Sequence, residues 1–472
     1  MPSQLPHYSA NERLLCLSNG HGEDVIAIRI LQTLQQNFSS LKLAALPLVG
    51  EGRAYTQLGI PIIGPVKAMP SGGFIHMDGR QFARDVQSGL LQLTLAQFRA
   101  IRHWSKQGGS ILAVGDIVPL LLAWLSGAPY AFVGTAKSEY YLRDDTGHPL
   151  RRAIWEGWSG SVYVPWERWL MSHPRCRAVF PRDSLTTRIL KRWSIPAFDL
   201  GNPMMDGLEP RSTQLALHEL VAVGRQNRAS PENSPLAAAQ SSPENSLSYQ
   251  SLMESGYLRV VLLPGSRPPE AYENWQQILQ AMDGVVETFS TRSLTFFGAI
   301  APNLNLEPLF YMLQAQGWQP VDSPSKSADP ALQQFPDSIA HWFSYKQATL
   351  VLTQHAFGDC LHGADCAIAM TGTGTEQFVG LGKPAVIFPG KGPQFTLKFA
   401  ESQTRLLGPS VTLVAKPAQA AIALQTLLQD PEQLHRIAEN GHRRMGRPGA
   451  AERIAHCLIE QLEQPTKNRW SH

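Results

Sequence analysis

Two glycine-containing loops, each preceded by an apolar run and followed by a helical pattern, constrain the fold of this chain most strongly. The first is Leu262-Leu-Pro-Gly-Ser-Arg267, and the second is Thr371-Gly-Thr-Gly-Thr375. A strand that leads through a glycine turn into a helix directs backbone N–H groups and the positive end of the helix at an anion. The C-terminal half of the chain is therefore predicted to be an α/β structure that binds phosphate.

The residue types in these loops suit a diphosphate. Arg267, after Gly265 and Ser266, supplies a planar guanidinium that would offset the charge of a departing nucleoside diphosphate without a metal ion. The alternative for Arg267 is a surface salt bridge with Glu270. The second loop would add backbone and hydroxyl donors, and its predicted donor-binding residues are Gly372, Thr373, Gly374 and Thr375. Together the two loops indicate a nucleotide-sugar site, whereas a tight strand–helix turn is the alternative for the second loop.

The length and composition of the chain point to two globular domains without a nucleic-acid partner. At 472 residues the chain exceeds what one hydrophobic core usually supports. Its net charge of +3 is too small to indicate nucleic-acid binding. The five cysteines form no Cys-x-x-Cys pair, which favours a reducing cytoplasm, and no metal site is predicted.

Apolar runs alternate with helical patterns in both halves of the chain, which predicts parallel, doubly wound sheets. The predicted strands are residues 13–18, 41–48, 111–114, 130–133, 258–263, 294–297, 348–352, 366–370 and 385–388. The predicted helices are residues 25–36, 120–125, 272–289, 375–381 and 419–428, with further helical pattern over 431–462.

A change of composition marks the boundary between the two domains. Between 224 and 256 the sequence Ser-Pro-Glu-Asn-Ser occurs twice, at 230–234 and 242–246. Such a stretch buries too little apolar surface to order itself. We predict an N-terminal Rossmann-like domain (1–205), a linker with this disordered insertion (206–257), a C-terminal nucleotide-sugar-binding domain (258–428) and C-terminal helices that pack back across the domains (429–472).

Strand ends in the N-terminal half carry the candidate catalytic residues, because open parallel sheets bind ligands at the carboxyl ends of their strands. The turn Asn19-Gly-His-Gly-Glu-Asp24 follows the first predicted strand, and Asp116 follows the third. Attack by a sugar hydroxyl needs a general base. The candidates are Asp116 and His21, the latter oriented by Glu23 or Asp24. The alternatives are a helix N-cap for Asp116 and a backbone-bonding loop residue for His21.

Six motifs in this order resemble the lipid-A-disaccharide synthase family, in a divergent synthase-related branch. The resemblance extends from about residue 13 to about residue 410, apart from the insertion. The motifs are Asn19-Gly-His-Gly-Glu-Asp24; Val49-Gly-Glu-Gly-Arg53; Leu200-Gly-Asn-Pro-Met-Met-Asp206; Leu262-Leu-Pro-Gly-Ser-Arg267 with Glu270; Asp365 followed by Thr371-Gly-Thr-Gly-Thr375; and Lys391-Gly-Pro-Gln-Phe-Thr396. By this resemblance, Gly20, Gly22, Glu23 and Asp24 form an acceptor-side loop.

The resemblance implies a GT-B architecture, in which two doubly wound, Rossmann-like domains enclose an inter-domain cleft with the active site. It implies an inverting hexosyltransferase that moves an acylated glucosamine from a UDP donor to a lipid-type sugar acceptor, as in lipid A biosynthesis. No cofactor is implied besides the UDP-sugar substrate. The implied location is the cytoplasmic face of the membrane, as a peripheral protein. A homodimer is possible under this resemblance but is not required by it.

Two departures from the family pattern bear on the substrate. The family's ribose-binding glutamate aligns with Gln377, whereas Glu376 stands one position earlier; either side chain offers an acceptor to ribose hydroxyls. Because a helix turns by about 100° per residue, only one of the two is expected to face inward. The family's aromatic-rich stretch is replaced by Gly134-Thr-Ala-Lys-Ser-Glu-Tyr-Tyr141, which leaves a different lipid acceptor as an alternative.

Two other functions are compatible with the same residues. One is a UDP-sugar 2-epimerase with the GT-B fold, which would need acidic residues in the cleft and no surface for acyl chains. The other is a non-catalytic paralogue that binds a nucleotide sugar or a lipid, and the glutamine at position 377 favours it.

Aromatic and basic residues in the N-terminal half suit a membrane surface. Trp155, Trp158, Trp166 and Trp169 fall among five arginines between 151 and 177, and residues 90–104 follow an amphipathic helical pattern. The alternatives are a domain core for the tryptophans and a helix that packs on the sheet. No signal peptide and no bilayer-spanning segment is predicted.

Overall fold

The computed structural model of the protein describes residues 13–20, 22–67, 89–150, 157–211, 256–322, 329–333 and 335–463. His21, Trp155 and both Ser-Pro-Glu-Asn-Ser repeats lie outside these residues.

The described residues form strands and helices that alternate along most of the chain. The strands are β1 (Arg13–Ser18), β2 (Lys42–Pro47), β3 (Ser110–Gly115), β4 (Tyr130–Gly134), β5 (Cys176–Phe180), β6 (Tyr257–Leu263), β7 (Ser293–Ala299), β8 (Gln319–Val321), β9 (His341–Tyr345), β10 (Ala348–Thr353), β11 (Cys366–Ala369), β12 (Ala385–Ile387) and β13 (Val411–Leu413). The helices are α1 (Gly22–Asn37), α2 (Arg53–Gln57), α3 (Leu90–Ser105), α4 (Ile117–Ser126), α5 (Pro165–Ser172), α6 (Ser184–Lys191), α7 (Glu270–Thr288), α8 (Glu307–Ala315), α9 (Pro330–Gln333), α10 (Phe357–Gly363), α11 (Thr373–Gly380), α12 (Leu397–Leu407), α13 (Ala420–Leu428), α14 (Pro431–Met445) and α15 (Ala450–Glu463).

The chain divides into two compact units. The first contains the described residues up to Asp206 together with those from Gly446 onward, and the second runs from Gly207 to Met445. The chain therefore leaves the first unit, builds the second and returns to the first, where α15 belongs.

The first unit is built on a parallel sheet with the strand order β2-β1-β3-β4-β5. Its central strands are apolar on both faces because helices cover both faces. In β1, Leu15 and Leu17 enter one hydrophobic core, whereas Leu14 and Cys16 enter the other. Helix α15 supplies Leu458 to the second of these cores. This two-sided burial confirms the predicted doubly wound sheet.

The second unit is built on an eight-stranded sheet with the order β13-β12-β11-β6-β7-β10-β9-β8. The pairs from β13 to β10 are parallel, and β9 and β8 are added antiparallel at one edge. The predicted α/β class with parallel sheets is thus confirmed in both units.

Each sheet contains a point where the chain reverses its direction of strand addition. In the first sheet the chain adds β2 on one side of β1 and then β3 on the other. In the second sheet it adds β7 beside β6 and later returns to place β11 on the opposite side. Ligands of open α/β sheets bind outside the carboxyl ends of the strands at such a switch point. We call the β1–β3 position the first switch point and the β6–β11 position the second.

All nine predicted strands are present, with ends that differ by only one or two residues. The strands β5, β8, β9 and β13 were missed because they are short or carry polar residues. The helical pattern over 431–462 forms two helices, α14 and α15. The break follows from Gly446 (φ +80°) and Gly449 (φ +84°), which adopt backbone conformations that glycine tolerates best.

Candidate functional site

Asp24, from the predicted acceptor-side loop, is buried at the first switch point as a structural acceptor. The Ser18 hydroxyl donates to Asp24 Oδ1 (2.5 Å), and the Tyr55 hydroxyl donates to Ser18 Oγ (2.7 Å). Asp24 also lies in the first turn of α1, where a negative charge complements the helix dipole. These bonds tie the loop after β1 to the strand itself and to α2.

Glu23 has a raised pKa. Burial is the main cause, and the negative charges of Asp116 and Asp24 add to it; hydrogen bonds from its own backbone N–H and from the Thr135 hydroxyl act in the opposite direction. A carboxyl with a raised pKa keeps its proton to a higher pH than an ordinary glutamate and is therefore better suited to act as a proton donor. Glu23 was predicted to belong to the acceptor-side loop and, as an alternative to Asp24, to orient His21, which lies outside the described residues.

Asp116 stands at the end of β3 and caps helix α4. Its Oδ1 accepts the N–H of Val118 (2.8 Å), as the structural alternative supposed. The side chain is half-buried, and its charge contributes to the raised pKa of Glu23. The first switch point therefore brings together two carboxyl groups, and the charge of Asp116 raises the pKa of Glu23.

Close backbone approaches shape the rest of the first switch point. A Cβ on Gly20 would lie 2.5 Å from the Val49 carbonyl oxygen, and one on Gly115 would lie 2.9 Å from Asn19 Cγ. Asn19 Oδ1 is buried and accepts no hydrogen bond from the described residues, so a donor from a ligand would satisfy it. Gly22, the first residue of α1, is exposed.

The two glycine loops meet at the second switch point because β6 and β11 pair in parallel, with Leu263 opposite Ala369. Gly265 has φ +99°, and a Cβ there would lie 3.5 Å from the Met370 carbonyl oxygen. The structure therefore brings together the two motifs that the sequence separates.

The first loop exposes Ser266, whereas Gly265 and Arg267 are half-buried. The Ser266 carbonyl accepts a hydrogen bond from Asn303 Nδ2 (2.9 Å) in the segment after β7. The Arg267 carbonyl accepts the N–H of Ala271 in the first turn of α7. Backbone contacts thus hold the loop from both sides.

The second loop presents only part of its predicted donor set at the surface. Gly372 is the N-cap of α11 and is half-buried, and Thr373 is exposed. Gly374 and Thr375 are buried, and the Thr375 hydroxyl donates to the Thr371 carbonyl (2.5 Å). That hydroxyl is therefore used inside the turn.

Glu376 and Gln377 are both buried, although the helical geometry led us to expect that only one faces inward. Their burial therefore does not distinguish which of them would contact a ribose. Two partly exposed rings, Phe357 and Phe399, lie near the start of α11. A Cβ on Gly372 would stand 3.3 Å from Phe399 Cζ.

Glu270 holds a third loop against this site. Its carboxylate accepts the backbone N–H groups of Gln394 (3.1 Å) and Phe395 (2.7 Å), which follow β12. The Lys391–Thr396 motif is thereby fixed to the first turn of α7. The sequence analysis named Glu270 as a motif residue and as the alternative salt-bridge partner of Arg267. It missed these bonds because the donors are backbone groups of distant residues.

Helices α3, α4 and α5 of the first unit carry large apolar side chains that face solvent. Helix α4 packs against both α3 and α5, and the Trp124 and Trp169 rings meet edge to face at 5.2 Å. The exposed residues, which we call the apolar patch, are Leu91, Leu95, Leu121, Leu125, Trp166 and Trp169. Among the described residues, no helix has the length and apolar composition to cross a bilayer.

Solved structures share the fold of this chain. A candidate UDP-N-acetylglucosamine 2-epimerase from Listeria monocytogenes matches with a TM-score of 0.51 at 12% identity, over 96% of this chain and 97% of that one. MurG from Acinetobacter baumannii matches with 0.51 at 13%, over 95% and 100%. S. aureus MnaA, solved with UDP, matches with 0.50 at 11%, over 97% and 98%. No protein-family model and no curated protein sequence matches the chain.

These similarities define the class of the protein at the level of fold. The chain has the GT-B fold, as predicted. Membership of the lipid-A-disaccharide synthase family is a narrower statement, and it stays a prediction.

Proposed function

We propose that this protein is an enzyme that acts on a UDP-sugar and binds the diphosphate at the second switch point. The observation that carries the proposal is the adjacency of two glycine loops at the ends of paired parallel strands. Each loop leads into a helix, α7 or α11, so two positive helix ends converge there. Arg267 adds a guanidinium suited to two phosphates, and no metal ion is required by this arrangement.

The first switch point supports acid–base chemistry, which favours a UDP-sugar 2-epimerase. In such a reaction a base removes the proton from carbon 2 while UDP leaves carbon 1, so that a double bond forms between the two carbons. UDP then adds back to carbon 1, and a proton returns to carbon 2 on the opposite face. The raised pKa of Glu23 suits a proton donor, and Asp116 supplies a carboxylate as the base. One of the solved structures that share this fold is that of a candidate 2-epimerase, which agrees with this choice.

A glycosyltransferase with a lipid-type acceptor is the second candidate, and the apolar patch favours it. The patch would place the first unit on a membrane surface, as a peripheral protein, where acyl chains are accessible. A carboxylate at the first switch point would then take the proton of the attacking hydroxyl. This candidate retains the inverting transfer of an acylated glucosamine that the sequence resemblance implies.

Calorimetric titration of UDP tests the shared part of the proposal. Wild type should bind UDP, and Arg267→Ala should weaken binding by about 1.5 kcal/mol or more, the scale of a charged hydrogen bond. Arg436→Ala is the matched control, because Arg436 is exposed on α14 of the same unit. Folded wild type that binds no UDP contradicts the proposal.

Incubation with UDP-N-acetylglucosamine in D2O separates the two chemistries. An epimerase incorporates deuterium at carbon 2 without an acceptor, and Glu23→Gln should slow this exchange. A glycosyltransferase shows no exchange and releases UDP only when a lipid-linked sugar acceptor is added. UDP binding without deuterium exchange and without acceptor-dependent release of UDP would instead support the non-catalytic paralogue.

A further inference from the structure

We infer that two buried amide side chains, Asn274 and Gln403, aim the backbone N–H groups of the two glycine loops at the diphosphate. This role rests on the proposed binding of a UDP-sugar at the second switch point. It assigns to both residues a positioning function that neither the glycine motifs nor the predicted site residues include.

Gln403 reaches the second loop from helix α12. Its Nε2 donates to the carbonyl oxygens of Thr371 and Gly372, both at 3.1 Å. The side chain is only 2% exposed. Because two carbonyl oxygens face the same nitrogen, the amide must present its NH2 group to the loop.

Asn274 reaches both loops from helix α7. Its Nδ2 donates to the Pro264 carbonyl (3.0 Å) and, at longer range, to the Met370 carbonyl (3.4 Å). This side chain is also 2% exposed. One amide therefore joins the end of β6 to the end of β11 and sets the spacing of the loops.

The direction of the loop N–H groups follows from these bonds. In a trans peptide the C=O and the following N–H point in opposite directions. With the carbonyls of Thr371 and Gly372 held towards Gln403, the N–H groups of Gly372 and Thr373 point away from it. The Pro264 carbonyl fixes the N–H of Gly265 in the same way.

None of these three N–H groups donates to an acceptor among the described residues. Backbone donors of this kind usually find a partner in the protein, in water or in a ligand. Their common origin at the switch point, beside Arg267, makes a diphosphate the matching acceptor.

Both amides leave a buried oxygen without a partner. Asn274 Oδ1 and Gln403 Oε1 accept no hydrogen bond from the described residues. A buried acceptor without a donor costs roughly 1–3 kcal/mol of stability. Each amide therefore holds its NH2 group on the carbonyls of the loop while its oxygen stays unsatisfied.

The test compares Gln403→Met with Gln277→Met. Gln277 is a buried amide on α7 whose Nε2 has no hydrogen-bond partner among the described residues, so it controls for loss of a buried amide. Affinity for UDP is measured by calorimetry and affinity for uridine by NMR titration. Gln403→Met should lose roughly tenfold in UDP affinity with uridine binding unchanged, and Gln277→Met should change neither.

Asn274→Leu repeats the test from the other helix, in case Gln403→Met does not fold. This variant should also lose affinity for UDP while it keeps its affinity for uridine. A folded variant that binds UDP as wild type does, or that loses UDP and uridine affinity equally, overturns the role of the amide. Wild type that binds no UDP overturns the proposed function as well, so the two failures are distinguishable.

Discussion

The carboxylate of Asp206 accepts the backbone N–H of Ala451 at 2.7 Å, across 245 residues of sequence. The same carboxylate accepts the N–H groups of Gly449 (2.5 Å) and Ala450 (3.1 Å). One side chain thus satisfies three donors at the start of α15, which a helix cannot satisfy internally. The last residue of the Leu200–Asp206 motif therefore has a structural role in the first unit.

Replacement of Asp206 should destabilise the first unit. We expect Asp206→Ala to lower the free energy of unfolding by about 2 kcal/mol, the upper range for loss of a helix cap. Asp206→Asn should lose less, because its oxygen still accepts. Urea denaturation measures both, with Glu460→Ala on the exposed face of α15 as the control. Equal stability of Asp206→Ala and the control would contradict the capping role.

The raised pKa of Glu23 predicts a pH-dependent stability. The folded state binds this proton more tightly than the unfolded state, whose pKa is near the ordinary value of 4.5. The resulting stabilisation is complete below that value and is lost as the pH rises through the folded pKa. Glu23→Gln should therefore gain stability relative to wild type as the pH rises, in thermal unfolding measured across a pH series.

Asp116→Asn provides an independent check of the interaction between Asp116 and Glu23. Removal of the Asp116 charge should lower the pKa of Glu23, whereas asparagine keeps the N-cap of α4. An NMR titration of the Glu23 side-chain carboxyl measures the shift. An unchanged pKa would mean that the two groups do not interact.

The apolar patch predicts binding to anionic vesicles. We expect Leu95→Gln with Trp166→Ser to reduce partitioning onto phosphatidylglycerol vesicles by at least about tenfold, because burial of each side chain contributes roughly 1.5–3 kcal/mol. Tyr311→Ser with Ile422→Gln is the matched control, since both residues are exposed and apolar in the second unit. Binding is measured by vesicle sedimentation. Equal partitioning of the two double variants would show that the apolar patch does not bind the vesicles.

Replacement by alanine should have opposite effects on stability at two helical glycines, because only Gly441 lies where α14 packs closely against α11. A Cβ on Gly441 would lie 2.0 Å from the Val379 carbonyl oxygen, whereas one on Gly284 would meet Ala421 Cβ at 3.4 Å. Gly441→Ala should destabilise the second unit by about 1–3 kcal/mol through overpacking. Gly284→Ala should stabilise it by about 0.5–1 kcal/mol through helix propensity. Urea denaturation of both variants tests the difference.

Local sequence signals were sufficient for the strands and for the loops that follow them. Apolar runs such as 258–263 are recognisable because a strand covered on both faces is continuously apolar. The position of Asp116 at a strand end and the pairing of the two glycine loops follow from the same pattern. Switch points emerge only once the order of strands in each sheet is known.

The contacts of Asn274 and Gln403 could not be predicted from the sequence. Both side chains bond to backbone carbonyls, which every residue possesses, so no residue type in the loops identifies the partner. The sequence indicated Trp166, Trp169 and the helix over 90–104 as candidates for a membrane surface. It did not indicate which side chains of that helix stay exposed, since Leu95 and Ile101 fit one helical pattern. Only the placement of neighbouring helices leaves Leu95 exposed and Ile101 buried.

The return of the chain to its first unit has a consequence for synthesis on the ribosome. Ile454 and Leu458 of α15 belong to the same core as Ile30 and Leu34 of α1. A nascent chain holds α1 hundreds of residues before α15 is translated. The core of the first unit therefore stays incomplete until the second unit has emerged, and a chain truncated before Ala450 leaves α1 uncovered for chaperones and proteases to recognise.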